Sequence, residues 1–176
     1  MTRDHIPARM LRRPQDARGL PIPFSQFIRA DGTPDFRVLD VMKVRQCVSQ
    51  RRCGMCGEIM GRHIFFIGGP LCVANGVFND PPMHRECAVF ALAACAHLNR
   101  TKGKYNTAAP LPTDAVTMVA TLCSDEKAEH FALMHSTGYQ VGRGSDGMIY
   151  IRANLPWLDV ELWRDGAPMR QQPEAS

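Results

Sequence analysis

Nothing in this 176-residue sequence approaches the ~20 consecutive apolar residues of a membrane-spanning helix, so no membrane role is expected. The N-terminus, Met1-Thr2-Arg3-Asp4-His5, has charge but no apolar stretch behind it, and no secretory signal is expected either. Aromatic residues make up only 7%. No aromatic-rich strand is available for stacking bases, which argues against sequence-specific reading of a nucleic acid. The seven cysteines, Cys47, Cys53, Cys56, Cys72, Cys87, Cys95 and Cys123, are odd in number and so do not close into a disulfide framework. A reducing cytoplasm is the expected setting, and there paired cysteines read as metal ligands or redox groups. Acidic charge is scarce in the first part of the chain. Residues 1–52 hold eleven Lys/Arg against five Asp/Glu, residues 53–104 five against three, and residues 105–176 five against nine. The net charge of +4 is therefore concentrated toward one end, as a contact surface would have it.

What is present suffices for a core: 45% hydrophobic residues and a mean hydropathy of -0.21, with no internal repeat. Residues 1–23 form a basic arm, with Arg3, Arg9, Arg12, Arg13 and Arg18 among Pro7, Pro14, Pro21 and Pro23. Prolines this dense preclude a regular element, leaving an arm free to touch phosphates or draped over the core. Residues 24–104 read as that core. Phe24 to Val38 predicts two extended stretches around an Asp31-Gly32-Thr33-Pro34 turn. Asp40 is placed to cap a helix from Val41 to about Gln50, with Val41, Val44 and Val48 on one face; Cys47 beside them reads as core filler. Ile64 to Ile67 predicts a buried strand, and Gly68-Gly69-Pro70 a turn that returns Leu71, Cys72 and Val73 alongside it. Asp80 followed by Pro81 and Pro82 predicts a helix from Pro81 to about Leu98, apolar nearly all round from Ala88 to Ala96 and hence buried. Pro110 and Pro112 mark a linker over 105–113. Residues 114–167 predict a small antiparallel sheet: Val116–Leu122, Tyr139–Val141, Met148–Arg152 and Leu158–Arg164 as strands, with 125–135 open between helix and strand. In the last strand Leu158, Val160 and Leu162 alternate with Asp159, Glu161 and Trp163 as in a half-buried strand. Residues 168–176 read as a loose tail.

The chemistry concentrates in Arg51-Arg52-Cys53-Gly54-Met55-Cys56-Gly57 and Asp80-Pro81-Pro82-Met83-His84-Arg85-Glu86-Cys87. Two cysteines three apart, then a His and a Cys three apart, is zinc-ligand spacing. The glycines permit positive φ, so both thiolates can turn to one ion while backbone N–H groups donate to the sulfurs. At i and i+3 of a helix start, His84 and Cys87 share a face, and the helix dipole favours a thiolate there.

Knuckle, hairpin and then two ligands from the first turns of a helix is the plan of treble-clef zinc fingers, and Cys53 to Leu98 resembles that family. The resemblance implies a closed Cys₃His site of Cys53, Cys56, His84 and Cys87, holding one structural Zn²⁺ per chain. The overall layout also resembles a group of small actinomycete and actinophage proteins, through Leu20-Pro21-Ile22-Pro23, the two ligand motifs, Phe66-Ile67-Gly68-Gly69-Pro70-Leu71 and Leu162-Trp163-Arg164-Asp165-Gly166; that resemblance implies an architecture and no activity.

Three catalytic readings compete. A thioredoxin-like redox pair would lie between a strand and the helix it opens, whereas Cys53 and Cys56 follow a predicted helix. His84-Arg85-Glu86 matches half of the nucleobase-deaminase signature, but that family's P-C-x-x-C follows its H-x-E, and here the cysteine pair lies upstream. A His-Asn-His-type treble-clef nuclease would use His63 as its base, with Asn75 and Asn79 near; the helix ligands would then have to bind a catalytic metal. The expected molecule is an α+β protein, a treble-clef-like finger with a buried helix packed on a small antiparallel sheet. Its expected role is non-enzymatic binding. Nucleic acid is the leading partner, met by Arg12, Arg13, Lys43, Arg45, Arg51, Arg52, Arg100, Lys102 and Lys104. The alternative is a protein-interaction or regulatory module using the exposed side of the C-terminal sheet with Trp157 and Trp163.

Overall fold

The computed structural model describes residues 6–98, 128–143 and 149–169. The 105–113 linker, the strand expected over Val116–Leu122, Cys123, and the cations Arg100, Lys102 and Lys104 lie outside these residues. The architecture is mixed α and β with small antiparallel sheets. The described part of the N-terminal arm is draped over the core. A 3-10 turn at Ala8–Met10 buries Met10 completely, and the Ile22 N–H closes a loop onto the Pro14 carbonyl at 2.7 Å.

The first hairpin joins β1 (Gln26–Ile28) to β2 (Pro34–Leu39). Its turn is set locally: the Asp31 carboxylate accepts from the Thr33 N–H at 2.9 Å and hydroxyl at 2.6 Å, and Gly32 sits at φ +82°. In β2 the buried Asp35 carboxylate takes ion pairs from Arg29 and Arg37 at 2.6 and 2.7 Å. The Arg37 hydrogen bond outweighs burial, so with Arg29 it holds the Asp35 carboxyl below the usual carboxylate range. Asp40 then caps α1 (Val41–Gln50) as expected, accepting from the Met42 and Lys43 N–H groups at 3.0 and 3.1 Å. Val44, Cys47 and Val48 face the core, and burial pushes the Cys47 thiol up to about 12, which fits a protonated packing residue.

β3 (Ile64–Gly68) has four consecutive buried residues because both its faces are covered. It pairs with β5 (Phe131–Ser136), Phe66 opposite Met134, and β5 pairs in turn with β8 (Asp159–Arg164), which carries the short β9 (Ala167–Pro168). A second sheet runs in the order β4 (Val77–Phe78), β7 (Ile149–Ala153), β6 (Tyr139–Arg143). Phe66 stacks on Phe78 at 4.5 Å and meets Tyr139 edge-on at 6.3 Å, tying the sheets together. The interval left open between helix and strand is a strand from Phe131 onward, held between two paired neighbours.

Four expectations are corrected. Leu71–Val73 do not return beside β3. They belong to a short helix, α2 (Pro70–Asn75), with proline in its first turn and Gly76 in the left-handed conformation at its end, and β5 takes the place of the expected hairpin strand. The third helix, α3, runs Arg85–Ala94, not Pro81 to Leu98. Asp80 is exposed and His84 occupies the cap position. Residues before proline avoid the α region, and the extended segment that results is paired on both sides: Gly54 N–H to Pro82 O at 2.9 Å, and Met83 N–H to Phe65 O at 2.8 Å. In β8 the burial departs from the expected alternation, although Val160 stays half-buried against the core. Trp163 is buried opposite Phe131, while Leu158 and Leu162 are exposed. Trp157 is half-buried, donating its indole N–H to the Val73 carbonyl at 2.9 Å, so neither tryptophan offers an exposed anchor. Finally, Pro168, where the loose tail is expected to begin, ends β9 opposite Trp163; residues 170–176 of that expected tail lie outside the described residues.

Candidate metal centre

The left-handed Arg51 (φ 53°) turns the chain out of α1 and into the knuckle. Arg52 and Ile59 bridge its two arms, the Cys53 N–H reaches Glu58 O at 2.9 Å and the Gly57 N–H reaches Cys53 O at 2.8 Å. Gly57, at φ +82°, completes the turn against the Phe24 ring. Opposite, the Met83–Phe65 pairing delivers His84, and the first turn of α3 delivers Cys87. The outcome is one cluster: the sulfurs of Cys53, Cys56 and Cys87 and a ring nitrogen of His84 lie within 4.8 Å of one another. The three cysteines are buried and His84 is half-buried.

The donor set fits a tetrahedral metal ion. Bonds of about 2.3 Å to sulfur and about 2.0–2.1 Å to nitrogen place S and N about 3.6 Å apart at tetrahedral angles; Cys56 Sγ and His84 Nδ1 are 3.4 Å apart. The second shell fits equally. His84 Nε2 faces the Ile59 carbonyl at 3.3 Å, which as its N–H donor leaves Nδ1 for the ion, and the Glu58 N–H donates to Cys56 Sγ at 3.4 Å. Without a cation the sulfurs contend for protons. Burial raises the Cys53 thiol, but hydrogen bonds from Cys56 and Cys87 bring it down on balance; its partners in that network, Cys53 first, drive Cys87 up. The hydrogen bond with Cys56 raises the His84 pKa. Arg9 shields this side, donating to Glu86 at 2.7 Å and to Glu58 at 2.6 Å, so Glu86 serves as an ion-pair partner of the arm.

The expected cations divide into engaged and available groups. Arg13 donates to Ile22 O at 3.1 Å and lies over Phe24, and burial lowers its pKa. Lys43 is held by Gln26 O and Asp40, and Arg52 by Gln50 and Gly57 O. Arg12 is 83% exposed, with a loose contact of 3.7 Å to Glu58. Arg45 is also exposed, and so is Arg51, although its guanidinium donates to the Gly61 carbonyl and lies over the Tyr139 ring. His63 is not in the metal cluster; its Nδ1 meets His135 Nε2 at 2.9 Å. Arg62, beside it, is exposed and has no ion-pair partner among the described residues. Ligand spacing gives no reason to single it out; its one sequence signal is its place directly before His63 and an apolar strand. The described residues contain no helix long and apolar enough to cross a membrane. No protein-family model, curated protein or solved structure matches this chain.

Proposed function

We propose that this chain is a zinc-stabilised, non-enzymatic binding protein that meets nucleic-acid phosphates with the exposed arginines of its N-terminal half. One observation carries the zinc reading: four soft and borderline donors, three of them on buried residues, converge within 4.8 Å of one another, with Cys56 Sγ and His84 Nδ1 at 3.4 Å. Three thiolates and an imidazole select zinc over hard cations. A site whose four positions are filled by protein holds the fold and leaves no position for substrate. Knuckle and helix start supply the ligands as they do in treble-clef fingers, although α2 and β4 replace the hairpin between them. The nuclease alternative loses support with that hairpin, and the protein-interaction alternative with the burial of Trp163.

Supporting the nucleic-acid reading are Arg12, Arg45 and Arg51, exposed in the basic half, and the excess of eleven cations over five acids in residues 1–52. Elemental analysis of protein purified without added metal should find about one zinc per chain; folded protein with substantially less would overturn the zinc reading. Binding to a mixed-sequence duplex should weaken linearly in log salt, each phosphate contact adding about 0.9 to the slope. Arg12→Ala and Arg45→Ala should each reduce that slope by about 1. Absence of binding at low salt, or binding indifferent to salt, would remove the nucleic-acid reading.

A further inference from the structure

Arg51 stands in a conformation that its residue type resists. It ends α1 in the left-handed region (φ 53°), where glycine or asparagine is the ordinary choice and where other L-residues are strained. The other described non-glycine residue at positive φ is Asp165, in an Asp-Gly turn of the kind that accepts it. The Arg51 backbone gains nothing that glycine would not provide. Its side chain does: Nη2 donates to the Gly61 carbonyl at 3.1 Å, and the guanidinium lies over the Tyr139 ring, 5.8 Å from its centre. Tyr139 is itself fixed, its hydroxyl donating to Val48 O at 2.9 Å. The guanidinium is thus held in place with donors to spare.

It borders a depression of about 470 Å³ whose other walls are Arg62, His63 and Thr137. This size is within the range of small-molecule sites, about 300–1,000 Å³. Among the described residues no carboxylate lines it, and Arg62 has no acidic partner there. His63 is oriented from behind. Its Nδ1 meets His135 Nε2 at 2.9 Å, and His135 stacks on Phe65 at 4.5 Å. Asp159, opposite His135 in the β5–β8 register, belongs to the far strand and not to the walls. Two arginines, His63 (its Nδ1 engaged by His135) and Thr137 thus line the depression and offer polar groups to a ligand. A fixed guanidinium presents paired N–H donors that match phosphate oxygens.

We propose that the Arg51–Arg62–His63–Thr137 depression is a binding site for a single phosphate group, either free or carried by a nucleic-acid chain. In giving the phosphate-facing surface a specific seat, the inference rests on the nucleic-acid reading above. Arg51 and Arg62 hold the phosphate oxygens, His63 and Thr137 add hydrogen bonds, and Arg51 accepts a strained backbone because glycine at that position would leave the site without its fixed cation. The site is separate from the zinc ligands and uses none of them.

The test uses the full-length, zinc-loaded chain at constant ionic strength. Inorganic phosphate, a 5′-phosphorylated oligonucleotide and its 5′-hydroxyl counterpart are titrated by calorimetry and by amide NMR. Phosphate and the oligonucleotides should move the signals of Arg51, Arg62, His63 and Thr137, and Arg62→Ala should weaken binding by about tenfold or more, as expected for loss of a charge-assisted hydrogen bond. Arg51→Gly should raise the melting temperature while weakening phosphate binding to the same degree. A simple loss of structure would lower both, so that variant separates the site from the fold. The proposal is overturned if neither phosphate nor oligonucleotide moves these signals, or if Arg62→Ala and Arg51→Gly bind as the parent does. Duplex binding that survives both variants retains the nucleic-acid reading and discards this site. Phosphate binding that both variants weaken, without any oligonucleotide binding, retains the site for a free phosphate and discards that reading.

Discussion

At the scale of the residue, Gly57 and Gly32 form a natural control pair. Both sit at φ +82°, so alanine at either position meets the same left-handed backbone strain of about 1–2 kcal/mol. Their surroundings differ. A Cβ on Gly32 would meet nothing within 4 Å, whereas one on Gly57 would lie 2.7 Å from a Phe24 ring carbon. The Phe24 main chain cannot shift away at no cost, because its N–H is bonded to the Met55 carbonyl at 2.8 Å and Ser25 N–H to Gly54 O at 2.9 Å, and the Arg13 guanidinium lies over its ring. Overpacking of that kind adds typically about 1–3 kcal/mol. Gly32→Ala should therefore lower stability by about 1–2 kcal/mol, and Gly57→Ala by about 2–5 kcal/mol in total. Urea unfolding of the zinc-loaded proteins would measure both. Equal losses would mean that Phe24 is not a fixed wall of the knuckle.

At the scale of the element, legibility follows how local the determining interactions are. Asp40 and the apolar spacing of Val44 and Val48 lie within α1, and so the start, end and buried face of that helix could be read from the chain. The candidate metal cluster was equally legible, since Cys53/Cys56 and His84/Cys87 are short-range pairs with a known spacing, and the structure brings together all four side chains, which could hold a metal ion. The start of α3 was misread for a physical reason. Asp80-Pro81-Pro82 has the composition of a helix start, but Met83 pairs with Phe65 and Pro82 O with the Gly54 N–H, and those distant partners hold the segment extended for four more residues. The same holds for Leu71–Val73. Glycine and proline at Gly69-Pro70 are compatible with either a turn or a helix N-terminus, and the choice is made elsewhere, by β5 occupying the edge of β3. In β8 the alternation was visible but its phase was not: whether Leu162 or Trp163 faces inward is decided by the register with Phe131 and Ala132, and a one-residue difference in register inverts a strand.

At the scale of the whole molecule, the metal centre and the C-terminal strands are not independently supported. Cys53, Cys56 and Cys87 belong to the same buried cluster as Leu133, Met134, Ile151 and Trp163. β3, which leads from the knuckle, is hydrogen-bonded along its length to β5, and β4, just ahead of the His84 segment, pairs with β7. Structural zinc in small fingers contributes roughly 10–16 kcal/mol, against roughly 5–15 kcal/mol for the net stability of a domain. Removing the ion should accordingly unfold the strands as well as the knuckle. The chain has two tryptophans, Trp157 and Trp163, both in the C-terminal strands and their approach and neither a neighbour of the ligands in sequence. Their fluorescence reports on the C-terminal strands. Chelation should shift that emission to the red in step with the loss of far-ultraviolet circular dichroism, and stoichiometric zinc should restore both. Cys53→Ser should show the unfolded signals at metal concentrations where the parent is folded. If the ion leaves while tryptophan emission stays native, the C-terminal sheets stand without it, and the role of the zinc contracts to the knuckle and the arm that Arg9 ties to it.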